Sequence, residues 1–159
     1  MRFDPARIFQ ILDDYGVDYL TIGGWAVVAH GYVRATVDID FVADQERGNI
    51  ERLARALASM GARLRGIDAD KLDIDLTDPD VLGNGASFTM ETDFGPVDFR
   101  NDVPGAGPYA QMRDRSIETS AAGVRIRVVG FDDLIAMKEA SGRDRDHLDV
   151  RELKRPSDS

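Results

Sequence analysis

The sequence contains no cysteine and only two histidines among its 159 residues. Without cysteine there is no disulfide framework, no thiolate zinc site and no thiol nucleophile. Because His30 and His147 are the only imidazoles, a site built mainly on histidine is disfavoured. No apolar run approaches the roughly 18 residues that cross a bilayer, and the first residues carry no signal-peptide pattern. These absences predict a protein of the reducing cytoplasm that does not bind a membrane.

Basic residues are fewer than acidic ones, with 20 Lys and Arg against 29 Asp and Glu and a formal net charge of −9. Such a surface repels phosphate backbones, which disfavours broad, nonspecific binding to nucleic acid. A negative chain can still hold a nucleotide where some of its carboxylates bind divalent cations. The functional question is therefore where the aspartates converge.

The length and the hydrophobic patterning predict one compact domain of mixed α/β (α+β) class, in which a small mixed sheet is flanked by helices. We expect this domain to span residues 1–154 and a polar tail to span 155–159. Residues that alternate with period two predict strands, and apolar residues at helical spacing predict helices. The predicted strands are 18–22, 37–42, 87–92, 97–99 and 124–129, with a hairpin turn at 93–96. The predicted helices begin after the Asp4 cap, which Pro5 follows, and cover 25–30, 50–60, 132–141 and about 145–153, with Asn49 as the cap of the 50–60 helix.

The most informative stretch is 21–41, where two glycines separate a predicted strand from a predicted helix. Gly23 and Gly24 let the backbone turn tightly and bring amide N–H groups near an anion, and the start of a helix adds a positive pole. Asp38 and Asp40 occupy positions i and i+2 of the next strand, roughly 6–7 Å apart on one face, so both carboxylates can reach one cation. Two oxygen ligands on a rigid strand suit Mg²⁺, which also takes water and phosphate as ligands.

The same Asp-Ile-Asp tripeptide recurs at residues 73–75. A glycine pair is most often a simple turn, and Asp-x-Asp is commonly an exposed strand face. The second copy has no glycine turn and helix before it, so we interpret it as solvated. Only the complete order of strand, glycine turn, helix and acidic strand makes the first copy specific.

A phosphoryl-transfer site needs a third carboxylate to activate the attacking hydroxyl and to share the metal ions. Asp98 is the best candidate, because its apolar neighbours Val97 and Phe99 would face the core and leave Asp98 on the opposite side. An ordinary exposed aspartate is nearly as plausible from this segment alone. Asp93, at the predicted hairpin turn, is a second candidate on a less rigid position.

Two basic residues are candidates for contacts with phosphate. Lys138 falls on the inward stripe of its predicted helix, where a lysine is costly unless a carboxylate or a phosphate meets it. Either a salt bridge to Asp146 or Asp149, or a contact with a nucleotide phosphate, would satisfy it. Arg34 precedes the acidic strand and can reach a phosphate, although a surface arginine is the simpler interpretation.

The order of Gly23-Gly24, Asp38-Ile39-Asp40 and a later strand aspartate resembles the nucleotidyltransferase fold of the DNA polymerase beta superfamily. Together with Asp-Leu-Ile-Ala-Met-Lys near the end, the pattern is similar to small stand-alone nucleotidyltransferases of the abortive-infection and toxin–antitoxin type. The resemblance covers roughly residues 19–153 and is weakest over 66–85.

The resemblance implies a role for each matching residue. Asp38 and Asp40 would bind two Mg²⁺ ions, Asp98 would complete the triad and deprotonate the acceptor hydroxyl, and the triphosphate would be held by Gly23, Gly24 and Lys138, with Arg34 as a further contact. Many relatives have a serine in place of Gly24, and its hydroxyl contacts phosphate. With only backbone amides at this position, affinity for the triphosphate would be lower or would depend on Lys138 and Arg34.

The implied activity is transfer of a nucleoside monophosphate from a nucleoside triphosphate to an acceptor hydroxyl, with release of pyrophosphate. The acceptor can be RNA, a protein or a small molecule such as an antibiotic, and Arg113, Arg115, Arg125 and Arg127 can supply a local patch for RNA. Since larger members hold the acceptor with an extra domain, the 66–85 segment, a second copy or a helical partner protein would do so here.

Two other hypotheses stay open. The chain can be a binding module with little or no turnover that acts as one partner of a toxin–antitoxin pair. It can also be an acidic α/β domain whose aspartates only confer solubility.

Overall fold

The computed structural model describes residues 3–66, 71–121 and 123–155. Within these ranges there are seven helices and one seven-stranded sheet, so the mixed α/β class is confirmed. The helices are α1 (Pro5–Asp14), α2 (Gly23–Ala29), α3 (Arg47–Ser59), α4 (Pro79–Leu82), α5 (Tyr109–Asp114), α6 (Phe131–Ser141) and α7 (Asp144–Lys154). The strands are β1 (Tyr19–Ile22), β2 (Ile39–Ala43), β3 (Arg63–Leu64), β4 (Phe88–Thr92), β5 (Gly95–Phe99), β6 (Ile117–Ala121) and β7 (Val124–Val128).

The sheet is mixed, with the strand order β3-β4-β5-β2-β1-β7-β6. Strand β2 runs parallel to β5 and antiparallel to β1, and β1 runs parallel to β7. Two hairpins, β4–β5 and β6–β7, extend the sheet on either side of these central strands. The register places Asp40 of β2 directly beside Asp98 of β5.

Alternation along β2 and β5 separates the core from the face that carries the aspartates. Ile39, Phe41, Val97 and Phe99 are fully buried, and the rings of Phe41 and Phe99 stack with their centroids 5.4 Å apart. Successive side chains of a strand point to opposite faces, so the aspartate between each pair of core residues faces away from these rings. Burial of the apolar residues therefore sets the direction of the acidic ones.

The N-terminal helix forms as its sequence predicts. The Asp4 carboxylate accepts a hydrogen bond from the backbone N–H of Arg7, and Pro5 occupies the first turn. Gly16 follows the helix with a φ of 71°, in the left-handed conformation that glycine adopts without steric cost.

Helix α3 begins differently from the prediction that Asn49 caps it. Glu46 is the capping residue, and its carboxylate accepts hydrogen bonds from the N–H groups of Gly48 and Asn49. The side-chain amide of Asn49 is buried and bonds to the backbone of Asp18 and Asp44 instead. The Asn49 side chain therefore forms hydrogen bonds to other segments of the chain instead of capping its own helix.

Four short elements, β3, α4, α5 and β6, have no counterpart in the predicted set. The aspartate-rich stretch 66–85 includes α4, although residues 67–70 lie outside the described ranges. Of the predicted polar tail, Arg155 ends α7 and residues 156–159 are not described. None of the described helices is long and apolar enough to cross a membrane.

Candidate active site

Three carboxylates from two neighbouring strands meet on one face of the sheet. Asp40 in β2 and Asp98 in β5 are register partners, and Asp38 lies one residue before β2 begins. A carboxylate oxygen from each residue lies within 4.8 Å of one from each of the other two. We call Asp38, Asp40 and Asp98 the acidic triad. The predicted convergence of these side chains is therefore observed, with Asp38 just outside the strand in which it was placed.

The structure separates the two candidates for the third carboxylate. The Asp98 side chain is only 10% exposed, so the interpretation of this residue as an ordinary exposed aspartate is wrong. Asp93 lies in the β4–β5 turn, where its exposed carboxylate is 3.5 Å from Nη1 of Arg63. Asp93 therefore belongs to a surface ion pair rather than to the triad.

Crowding of the triad changes its protonation. Burial, the charge of Asp38 and a hydrogen bond with Asp98 raise the pKa of Asp40 to about 8, against the smaller opposing charge of Arg100. Burial and the charge of Asp98 also raise the pKa of Asp38. One cation contacts the cluster directly, because Nη2 of Arg65 lies 3.2 Å from Oδ1 of Asp98. Buried carboxylates with raised pKa values gain stability from a divalent cation, whose charge removes the repulsion.

The diglycine forms the first two residues of α2 rather than a turn ahead of it. Gly23 has a φ of 69°, and a Cβ atom there would overlap the Asp40 carboxylate and lie 3.0 Å from its Cγ. Only a glycine allows both the conformation and the close approach. A glycine at position 23 is therefore required for the backbone to pack against Asp40, whether or not its N–H also contacts phosphate.

The triad lines a cavity of about 300 Å³ that is also lined by basic side chains. We call Arg34, Lys138, Arg143 and Arg145 the cationic cluster, since all four line this cavity. The remaining lining is mostly apolar or small: Ile22, Gly23, Gly24, Ala35, Thr36, Val37, Val103, Pro104, Leu134, Met137 and Ser141, with Arg100 and Asp146. Carboxylates of the triad and basic side chains therefore line the same cavity.

Lys138 forms the salt bridge that was one of the two alternatives left open by the sequence, and it also lies at the cavity. Its ammonium Nζ lies 3.2 Å from Oδ1 of Asp146 and 3.1 Å from Oδ2 of Asp149, and the side chain also lines the cavity. Both aspartates are fully buried in α7, so this contact joins α6 to α7. The salt-bridge interpretation is confirmed, and contact with phosphate stays a prediction.

Arg34 is not the surface arginine of the simpler interpretation, because its side chain is 15% exposed. Its Nε and Nη2 atoms donate to the two oxygens of Asp149 at 3.0 and 3.1 Å. Arg143 donates to Oδ2 of Asp146 at 3.0 Å. We call these three cations and the two aspartates the ion-pair network: Arg34, Lys138, Arg143, Asp146 and Asp149.

Sequence reasoning did not identify Arg65, Arg100, Thr36 or Arg145 as neighbours of the site. Arg65 follows β3, a two-residue strand with no pattern of its own, and it reaches Asp98 only because β3 pairs with β4. Thr36 does have a detectable signal, since it lies two residues before Asp38 and so continues the period-two face.

The second Asp-Ile-Asp tripeptide is exposed, as predicted. Oδ1 of Asp75 accepts hydrogen bonds from the N–H and the hydroxyl of Thr77, which lower its pKa and make it part of a local turn. His30 is hydrogen-bonded through Nε2 to the carbonyl of Val129 and contacts the ring of Phe131. Both observations agree with structural rather than catalytic roles.

The arginines suggested as an RNA-binding patch are paired with carboxylates. Arg113 contacts Asp18, Arg115 contacts Asp133, and Arg125 and Arg127 contact Glu118. Arg113, Arg125 and Arg127 surround a second cavity of about 420 Å³ beside Tyr19, at the opposite end of β1 from Gly23. These arginines do not line the cavity that holds the triad.

No protein-family model and no curated protein matches the sequence, whereas solved structures do match the fold. The lincosamide antibiotic adenylyltransferase LnuA with bound lincomycin aligns with a TM-score of 0.60 at 17% identity, over 97% of this chain and 98% of that chain. The Thermotoga maritima protein TM1012, assigned as a nucleotidyltransferase, gives 0.57 at 13% identity, over 93% and 88%. ANT(2")-Ia in complex with adenylyl-2"-tobramycin gives 0.55 at 17% identity, over 94% and 84%. The chain therefore has the nucleotidyltransferase fold.

Proposed function

We propose that this protein is a metal-dependent nucleotidyltransferase, which moves a nucleoside monophosphate from a nucleoside triphosphate to an acceptor hydroxyl. The main support for the proposal is one observation: three carboxylates, of which Asp98 is buried and Asp38 and Asp40 are half-buried, have oxygens within 4.8 Å of one another and share a cavity with a cluster of cations. Carboxylates at this spacing suit divalent ions, and the cations suit the phosphates that those ions also bind. The nucleotidyltransferase fold agrees with this chemistry.

The donor, a nucleoside triphosphate, would lie between the acidic triad and the cationic cluster. Lys138 has three N–H donors, and its contacts with Asp146 and Asp149 use two of them, which leaves one for a phosphate oxygen. Arg145 is exposed and lines the cavity, so its guanidinium is available to the same ligand. These groups would hold the β- and γ-phosphates while the α-phosphate lies beside the acidic triad.

The metal site fits Mg²⁺ because all three ligands are carboxylates with hard oxygen donors. Asp38, Asp40 and Asp98 would hold two ions, which would neutralise the charge that develops on the reacting phosphate and on the leaving group. The raised pKa values of Asp38 and Asp40 support this assignment, since these two side chains have little favourable pairing without a cation.

The transfer itself is an in-line displacement at phosphorus. The acceptor hydroxyl oxygen forms a bond to the α-phosphorus while the bond from this phosphorus to the bridging oxygen breaks. The leaving pyrophosphate takes that electron pair, and the hydroxyl proton passes to the carboxylate of Asp98. Positioning and charge neutralisation would supply most of the rate enhancement.

Among the possible acceptors, a small molecule with a free hydroxyl has the best support. Two of the structural neighbours are antibiotic adenylyltransferases, one with lincomycin and one with an adenylylated tobramycin. A protein or RNA acceptor, and a role in a toxin–antitoxin pair with a helical partner or a second copy, remain predictions from the sequence resemblance.

The test is incorporation of label from each of the four α-³²P nucleoside triphosphates with Mg²⁺, offered to total RNA, protein, lincosamides and aminoglycosides. We expect labelled product and pyrophosphate with one acceptor class, and loss of both in Asp38→Ala. Asp73→Ala in the second Asp-Ile-Asp tripeptide is the matched control and should retain wild-type transfer. Wild-type transfer by Asp38→Ala would refute the assignment of the site.

A catalytically weak binding module is the alternative, in which the same site holds a nucleotide without turnover. Calorimetry with each Mg²⁺-nucleotide, combined with a pyrophosphate assay, separates the two functions. Tight binding with no pyrophosphate release in any acceptor mixture would favour the binding module. If no Mg²⁺-nucleotide binds and Mg²⁺ does not change the melting temperature, the hypothesis that the aspartates only confer solubility is favoured.

A further inference from the structure

Residues 34–38, which lead into β2, all line the cavity. Residues 32, 34, 36, 38 and 40 are all half-buried, whereas Val33, Ala35 and Val37 are exposed. The alternation means that the side chains of Arg34, Thr36 and Asp38 are turned further into the protein than those of their neighbours. Thr36 therefore lies along this segment between a cation, Arg34, and a carboxylate of the acidic triad, Asp38.

Gly24 brings the backbone of α2 against this segment. A Cβ atom on Gly24 would lie 2.6 Å from Oγ1 of Thr36 and 3.3 Å from Nη1 of Arg34. Distances this short mean that the Thr36 hydroxyl occupies the space that any side chain at position 24 would need. Gly24 and Thr36 both line the 300 Å³ cavity, so the hydroxyl lies at its surface beside the diglycine.

The Thr36 hydroxyl is only loosely engaged within the protein. Its contact with the carbonyl oxygen of Asp38 is 3.3 Å long, beyond the usual 2.5–3.0 Å of an O–H···O hydrogen bond. A donor of this kind can turn to a stronger acceptor at little cost, and a phosphate oxygen is such an acceptor.

We infer that Thr36 is a phosphate-binding residue, whose hydroxyl donates a hydrogen bond to the triphosphate between the cationic cluster and the acidic triad. This inference rests on the proposed function. A polyphosphate that reaches from Arg34 to ions held by Asp38 passes along residue 36, because Thr36 lies between these two residues in the segment and all three line the cavity. Gly24 is required for the same reason, since a side chain there would displace the hydroxyl.

The test compares Thr36→Val, which keeps the shape and removes the hydroxyl, with Thr36→Ser, which keeps the hydroxyl. The probes are Mg²⁺ with inorganic triphosphate, which has no base, and Mg²⁺ with α,β-methylene-ATP, both measured by calorimetry. We expect Thr36→Val to weaken binding of both probes by about tenfold and Thr36→Ser to bind within about threefold of the wild type. Wild-type affinity in Thr36→Val, or equal weakening in both variants, would overturn the inference.

A second comparison tests whether a side chain at position 24 and the Thr36 hydroxyl compete for the same space. Gly24→Ser alone should weaken binding, because its Cβ meets the Thr36 hydroxyl. Gly24→Ser combined with Thr36→Ala should recover to within about threefold of the wild type, because the serine hydroxyl then takes the place that the Thr36 hydroxyl has left. A double variant no better than Gly24→Ser would contradict the inference. If the folded wild-type protein binds neither probe, the proposed function fails instead, and the melting temperature of each variant shows that it is folded.

Discussion

The acidic triad and all of the ion-pair network except Asp149 line the same cavity, and both contain aspartates that are buried or half-buried, but their electrostatics are opposite. Three carboxylates of the triad have one direct ion pair within the described residues, Arg65 to Asp98. In the network, Asp146 and Asp149 are contacted by three cations.

The protonation of the two groups reflects this difference. Burial and neighbouring carboxylates raise the pKa of Asp40 to about 8. Burial would also raise the pKa of Asp146, but hydrogen bonds from Ser141 and Arg143 and the charge of Lys138 lower it to about 2. Buried acids that are already paired stabilise the fold, whereas buried acids that repel one another are available to a ligand.

The largest expected effect breaks the triad. Asp40→Asn should lower transfer at least about a thousandfold, because it removes one of the three carboxylates proposed to hold the metal ions. At pH 9, where Asp40 is ionised, the same change should raise the melting temperature of the metal-free protein by a few degrees, since it removes a charge beside Asp38 and Asp98. A radiolabel assay and calorimetric melting measure the two effects. A lower melting temperature in Asp40→Asn would contradict the comparison.

The next change breaks the network. Asp149→Asn should lower the free energy of unfolding by about 3 kcal/mol, because Lys138 and Arg34 lose a buried partner. Glu139→Gln is the control, since it removes only the exposed ion pair to Lys154 and should cost less than about 1 kcal/mol. Urea denaturation monitors both variants. Equal stability of the two would show that the network does not stabilise the fold.

A smaller effect is the pH dependence of the metal-free protein. Because the folded pKa of Asp40 lies above its unfolded value near 4, the folded state binds the extra proton, so stability should fall as pH rises from about 5 to 9. Mg²⁺ should oppose this decline by binding the ionised triad.

Thermal melts at pH 5, 7 and 9, with Mg²⁺ and with EDTA, measure this dependence. Asp40→Asn should flatten the slope, while Asp75→Asn, a change in the exposed second tripeptide, should leave it unchanged. An identical slope in Asp40→Asn would assign the pH dependence to other groups.

The smallest expected effect is at the second cavity. Arg125→Ala removes an exposed arginine of β7 whose Nη1 atom lies 3.5 Å from Oε2 of Glu118. Both residues line the second cavity, beside Tyr19 at the opposite end of β1 from Gly23. We expect transfer to change by less than about twofold and stability by less than about 0.5 kcal/mol. A selective loss of transfer to RNA, with other acceptors unaffected, would restore the RNA-binding hypothesis for this arginine patch.

Local patterns were sufficient to predict much of the fold. The Asp4-Pro5 cap, the period-two strands and the last two helices correspond to α1, β2, β5, α6 and α7, because caps and periodicity depend on neighbouring residues. Short elements such as β3 and α5 have too few residues for a periodic signal, and they form where the sheet and the core position them. The cap at α3 was assigned to the wrong residue because Asn49 is recruited by Asp18 and Asp44.

The sequence by itself determined which residues can form the candidate site. The diglycine, the alternation around Asp40 and the apolar neighbours of Asp98 are local, and they orient each side chain once its strand forms. Only the tertiary structure decided that β2 and β5 are parallel partners in a register that places these carboxylates side by side. It also decided that Arg34 and Lys138 share Asp149, and that Thr36 lies against Gly24. Such contacts join residues that are distant in the sequence, and strand pairing and packing alone bring them together.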